Sequence, residues 1–133
     1  MKKYVAAVTL AILAAHPAFA QPAYTQGNDP VTLSAIDDLD PCSYGVIADQ
    51  GPEGAVNVYS GPSLELEPVD YISGGQAVWI CESSNDDSMI GIVYTFDDNM
   101  DCGVSSPVAE DTDYFGPCQS GWIVADAAEM QAG

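Results

Sequence analysis

Beyond residue 20 the chain contains no lysine, arginine or histidine, and this limits its folding options more than any other feature. Lys2, Lys3 and His16 are the only basic side chains among 133 residues, whereas all 20 aspartates and glutamates lie after Ala20. Residues 21–133 therefore carry a formal side-chain charge of 0 − 20 = −20. No side-chain ion pair is open to them. Their native state must draw its cohesion from apolar burial, backbone hydrogen bonds and covalent links, against the mutual repulsion of the carboxylates. Salt screens such repulsion over about 8 Å at physiological strength. A saline habitat suits this surface; drift toward acidity within a family is the alternative origin. The same charge repels phosphate backbones and anionic lipid, so neither nucleic-acid nor membrane-surface binding is expected.

The first twenty residues have the three parts of a secretory signal peptide. Lys2 and Lys3 precede an apolar run from Tyr4 to Ala15, broken only by Thr9, and Ala18-Phe19-Ala20 is a small-x-small cleavage site. The run is shorter than the roughly 20 residues of a membrane-spanning helix. Pro17 interrupts the region before the cleavage site, and no cysteine comes after that site as it would in a lipoprotein. The expectation is a soluble, periplasmic or secreted protein, not embedded in a membrane. The remaining 133 − 20 = 113 residues fit one domain. A core of that size benefits from staples. Cys42, Cys81, Cys102 and Cys118 make an even count, which in an exported chain predicts two disulfides. A zinc site is disfavoured, because there is no Cys-x-x-Cys pair and no histidine beyond His16. Four cysteines allow three pairings. Cys42–Cys81 with Cys102–Cys118 is preferred because each closes a local segment, although spacing alone does not decide it.

Residues 21–41 read as a flexible acidic segment, with Pro22, Gly27, Pro30, Pro41 and the run Asp37-Asp38-Leu39-Asp40. Leu33, Ile36 and Leu39 have roughly helical spacing, enough for one turn of helix. From Cys42 onward the texture changes to short β runs separated by glycine and proline. These cover residues 44–48, 55–59, 68–72, 76–81, 89–94 and 121–124. Val78 and Ile80 fall on one face of their strand and Trp79 and Cys81 on the other, while Ile90, Ile92 and Tyr94 alternate along theirs. Residues 97–118 read as a loop, and 125–130 as a terminal helical turn. This pattern predicts an all-β domain over residues 42–133. About five strands in roughly 80 residues favours a small bent barrel over a seven-stranded sandwich.

The run Val56-Asn57-Val58-Tyr59-Ser60-Gly61-Pro62-Ser63 resembles the "LNVRSGPS" signature of bacterial SH3-like (SH3b) domains, with Tyr59 in place of the usual arginine. Gly74-Gly75 with the strand through Ile80, the strand Met89–Tyr94, and Gly121-Trp122-Ile123 resemble the later elements of that family in the same order. Met89 stands where a tryptophan is common. The likeness covers about residues 44 to 124, and the Cys102–Cys118 stretch looks like an exported, cysteine-containing branch. The resemblance implies a strongly bent SH3-like β-barrel with ligand contacts on its loops. It also implies a cell-wall peptide or a protein as partner.

Little enzyme chemistry is open to this composition. A serine or cysteine nucleophile needs an imidazole or comparable base, and residues 21–133 contain neither histidine nor lysine. Carboxylate pairs for glycoside hydrolysis are expected by chance among 20 acidic residues and point to no pocket. No catalytic residue, cofactor or metal is assigned. Residues 97–101 begin like a calcium-binding EF-hand loop, but Cys102 stands where glycine is required and Val108 where glutamate is required. Exposed aromatics beside turns are the remaining binding candidates. These are Tyr59, Tyr114 and Phe115, together with Trp122. The expected function is a non-catalytic, monomeric binding module. An anionic inhibitor of a cationic hydrolase is the alternative.

Overall fold

The computed structural model describes residues 29–131. The expected signal peptide (residues 1–20) and residues 21–28 of the expected flexible segment lie outside that range. Within it, nine strands form: β1 (Thr32–Leu33), β2 (Ser43–Ile47), β3 (Ala55–Tyr59), β4 (Pro68–Ser73), β5 (Ala77–Ser83), β6 (Met89–Tyr94), β7 (Thr112–Asp113), β8 (Gln119–Val124) and β9 (Ala128–Met130). A three-residue 3-10 turn, Ala125–Ala127, is the only helical element among the described residues. The protein is all-β, and both preferred disulfides are present, Cys42–Cys81 and Cys102–Cys118.

The strand count and closure differ from the expected barrel of about five strands. Seven strands form one antiparallel sheet in the order β4-β3-β8-β6-β5-β2-β9, and β1 pairs with β7 in a second sheet. The large sheet is bent but open, since β4 and β9 end the order without pairing to each other. The bend is visible in the packing. Ile72 of β4 and Ile47 of β2 come from near opposite ends of the strand order, yet they share one apolar cluster. Two register shifts accompany it, between Val58 and Tyr59 in β3 and between Ile80 and Glu82 in β5. Such irregularities kink a strand and raise its twist. The terminal stretch expected as a helical turn instead becomes the 3-10 turn followed by β9. That strand pairs with β2, and Gln131 N donates to Tyr44 O at 3.1 Å.

Period-two alternation sorts the sheet into two buried faces. On the inner face Val56, Val58, Val78, Ile90, Ile92, Tyr94 and Ile123 pack together. On the outer face Tyr59, Cys81, Met89, Val93 and Trp122 pack with Val31, Leu33, Val104 and Tyr114. All six residues of β6 are buried because it is covered on both sides. The outer cover comes from two stretches without local periodicity, residues 29–41 and the connection between β6 and β8. The β1–β7 pair joins them, with Thr32 opposite Asp113 and Leu33 opposite Thr112. Within residues 29–41 the part around Val31 and Leu33 packs on the sheet, whereas residues 35–40 are exposed. Val31 and Leu33 are only 1% and 5% exposed, and the packed unit extends upstream of Cys42.

Both disulfides belong to this outer layer. Cys81 and Cys102 are core members there, with Cys42 and Cys118 packed beside them. One cystine pins the start of β2 to β5, and the other closes the long β6–β8 connection. Tyr114 fills that closed loop. Its hydroxyl donates to Cys102 O at 2.8 Å and accepts from Cys118 N at 3.2 Å. Gly121 shows how closely β8 approaches β3: a Cβ there would press on the Val58 side chain and lie 2.9 Å from Tyr59 O.

Candidate functional site

Three of the four aromatic candidates belong to the core. Tyr59 is 9% exposed, Tyr114 7% and Trp122 2%, while Phe115 stands out at 80%. The burial has a separate cause at each position. Tyr59 falls on the face opposite Val58, where the outer layer covers it. Tyr114 serves the disulfide loop. Trp122 donates its indole Nε1–H to Asp29 O at 2.7 Å, while Asp29 N donates to Ser60 O at 2.9 Å, so the two bonds clamp the start of the cover. A buried indole needs such a partner. The structure does not bring the four aromatics into one recognition surface.

A groove of about 510 Å³ lies elsewhere. Its wall is a tight turn in the stretch expected as flexible. Ile36 and Leu39 form an antiparallel bridge, and Leu39 N donates to Ile36 O at 2.9 Å. The two residues between them are Asp37 and Asp38, and Asp37 adopts a left-handed backbone with φ 47°. Aspartate tolerates that conformation better than most residues because its short side chain can bond locally. The spacing of Leu33, Ile36 and Leu39, which suggested a helical turn, is therefore used differently. Leu33 enters the outer core, while Ile36 and Leu39 stand at the groove, 45% and 63% exposed.

The chain then runs through Asp40 and Pro41 to Cys42, whose disulfide with Cys81 anchors this wall to β5. Ile80, Ile90 and Ala128 contribute apolar surface from the sheet and Ala125 from the 3-10 turn, and Met130 of β9 adds a further apolar side chain, 65% exposed. Polar lining comes from Asp40, Glu82, Ser43 and Ser83. The volume falls within the roughly 300–1,000 Å³ usual for small-molecule and cofactor pockets.

Glu82 has the most perturbed environment of the lining carboxylates. Burial pushes its carboxyl above the usual glutamate value of 4.5, and the nearby Asp29 and Asp113 charges push the same way. Thr32 N opposes them by donating to Oε1 at 2.7 Å. The β5 register shift sets Glu82 opposite Gly91, and a Cβ on Gly91 would lie 2.9 Å from Glu82 Cγ. The absence of a side chain there makes room for the glutamate stem.

The groove offers apolar contact and negative charge. Ser43 and Ser83 line it, but residues 21–133 contain no imidazole or amine side chain to activate a hydroxyl. Among the described residues no group of three or more histidine, cysteine, aspartate or glutamate side chains is placed to hold a metal ion. Asp86 is engaged by its own turn. It accepts from Ser84 Oγ at 2.9 Å, Ser88 Oγ at 2.7 Å and Ser88 N at 3.1 Å, and these bonds, the Ser88 hydroxyl first, hold its carboxyl down at about 2.

Sequence reasoning missed Ile36, Leu39 and Met130. The available signal was the Asp-Asp pair between two large apolar residues, a turn pattern that sets the flanking side chains beside each other. Two disulfides fit an oxidising, extracellular environment. No helix among the described residues is long and apolar enough to cross a membrane. Comparison of the chain with family profiles, with curated proteins and with solved structures finds no match.

Proposed function

We propose that this chain is a non-catalytic binding module of the SH3-like type, periplasmic or secreted, which recognises a cell-wall peptide or a protein partner. The observation that carries the reading is the groove. It combines exposed Ile36, Leu39 and Met130 with two lining carboxylates in a domain stapled by two cystines. An open apolar groove in a small rigid frame is a recognition feature, because it joins a concave shape to apolar surface that a ligand can cover. The SH3-like assignment rests on the Val56–Ser63 signature. Its valines become inner-core residues of β3, and Ser63 N donates to Gly61 O at 2.8 Å in the turn that follows.

Co-sedimentation with purified peptidoglycan sacculi tests the proposal. Retention of the protein on sacculi, reduced by Leu39→Ser, is the supporting result. The charge of −20 on residues 21–133 favours a second reading, inhibition of a cationic hydrolase, because opposite charges accelerate association. Stoichiometric, salt-sensitive inhibition of a basic lysozyme-type enzyme, without retention on sacculi, would favour it over the wall reading.

A further inference from the structure

We propose that the groove beside the Ile36–Leu39 turn receives a polypeptide segment carrying one basic side chain between apolar neighbours. The proposal rests on the binding-module reading and adds the chemistry of the occupant. The first argument is charge complementarity. Asp40 and Glu82 line the groove, and the chain offers no basic side chain beyond His16 to neutralise either of them. Any side-chain counter-charge near these carboxylates is brought by the occupant. The second argument is the apolar part of the lining. Leu39 and Met130 are 63% and 65% exposed where they line it, so apolar burial remains to be gained there. Glu82 already accepts from Thr32 N, but a purely apolar occupant would desolvate Asp40 without compensation, and an acidic one would add repulsion. A basic residue flanked by apolar ones satisfies both parts of the lining, because its aliphatic stem lies along apolar surface while its head reaches the carboxylates.

The test is calorimetric titration of the full exported chain at physiological salt, where screening suppresses the general field of the surface. The probes are three capped pentapeptides of sequence alanine–leucine–X–leucine–alanine, with X lysine, glutamine or glutamate. The lysine peptide is expected to bind about tenfold tighter than the glutamine peptide, with the glutamate peptide weakest. Leu39→Ser and Asp40→Asn are each expected to weaken the lysine peptide about fivefold. Both side chains are exposed, so both variants keep the fold, which unchanged melting temperatures would verify. Glu53→Gln removes an exposed carboxylate outside the groove and is expected to leave the affinity unchanged.

Equal affinity for lysine and glutamine peptides overturns the proposal. So does an equal loss in Glu53→Gln and Asp40→Asn, which would assign the effect to overall charge. Absence of binding by the lysine peptide also overturns it. If that absence accompanies retention on sacculi, the binding-module reading survives alone. If neither is seen, both fall.

Discussion

The Tyr114 hydroxyl donates to the carbonyl oxygen of Cys102 at 2.8 Å, tying a core aromatic to the backbone of the disulfide loop that encloses it. The hydroxyl oxygen also accepts from Cys118 N, so one side chain bonds to the backbone at both ends of the Cys102–Cys118 closure. Tyr114→Phe keeps the ring and removes both bonds. An unsatisfied buried polar group costs about 1–3 kcal/mol. A loss of that size in urea denaturation is expected, with the disulfide still formed by thiol assay. A change below about 0.3 kcal/mol would show that the two bonds contribute nothing net.

The Cys102–Cys118 cystine closes a 16-residue separation. Its paired replacement by alanine is expected to lower stability by about 3 kcal/mol, mainly through greater freedom of the unfolded chain. The effect on the native protein should be local, since the loop covers the outer face and not the inner one. Hydrogen exchange should speed up first in β7 and β1 while the amides of β6 stay protected. Uniform loss of protection across the sheet would contradict this order.

Glu82 and Asp86 set opposite limbs of the pH profile. Burial raises the Glu82 value in the folded state, so the native protein holds that proton more tightly than the unfolded chain. The associated stability is full below the ordinary value of 4.5 and is lost as pH rises through the higher folded value. Hydrogen bonds lower Asp86 from 3.8 to about 2, so its contribution is full above 3.8 and is lost as pH falls toward 2. Denaturation midpoints should therefore peak near pH 4. Glu82→Gln, which keeps an acceptor for Thr32 N, should flatten the decline above the peak and leave the acid limb unchanged. An unaltered upper limb would remove Glu82 from the account.

With 20 acidic residues and no basic side chain after His16, repulsion among surface carboxylates opposes folding. Melting temperature should rise between 0.05 M and 1 M NaCl, as the screening length contracts toward about 3 Å. Urea denaturation across the same series should show an increased midpoint with little change in slope. A melting temperature indifferent to salt would mean that the carboxylates are already too well separated to repel.

The positions of β2, β3, β4, β5, β6 and β8 were legible because their signal is local, whereas β1, β7 and β9 were not. Val78 and Ile80 opposite Trp79 and Cys81, and Ile90, Ile92 and Tyr94 in alternation, read directly as two faces, and the structure uses them so. Two disulfides were expected from the even cysteine count, and the structure realises the preferred pairing of Cys42 with Cys81 and Cys102 with Cys118, which spacing alone left open. The groove was not legible. It depends on the Ile36–Leu39 turn meeting β5, β6 and β9, and residues 36–41 carry composition typical of a loop. The burial of the candidate aromatics was not legible for a related reason: proximity to a turn in sequence does not measure exposure, and Tyr59 and Tyr114 are buried beneath other parts of the chain.

The sequence by itself determined the charge, the β character and the covalent staples, since each follows from residue types or from period-two patterning over a few positions. Only the tertiary structure decided which unpatterned residues become core. Val31, Leu33 and Val104 lie in short stretches too brief to set a pattern, and they are buried because the folded sheet presents an apolar outer face for them to cover. The contacts that hold that cover are remote in sequence. Asp29 and Trp122 are 93 positions apart, and Thr32 and Glu82 are 50 apart, so neither partner can be read from its own surroundings.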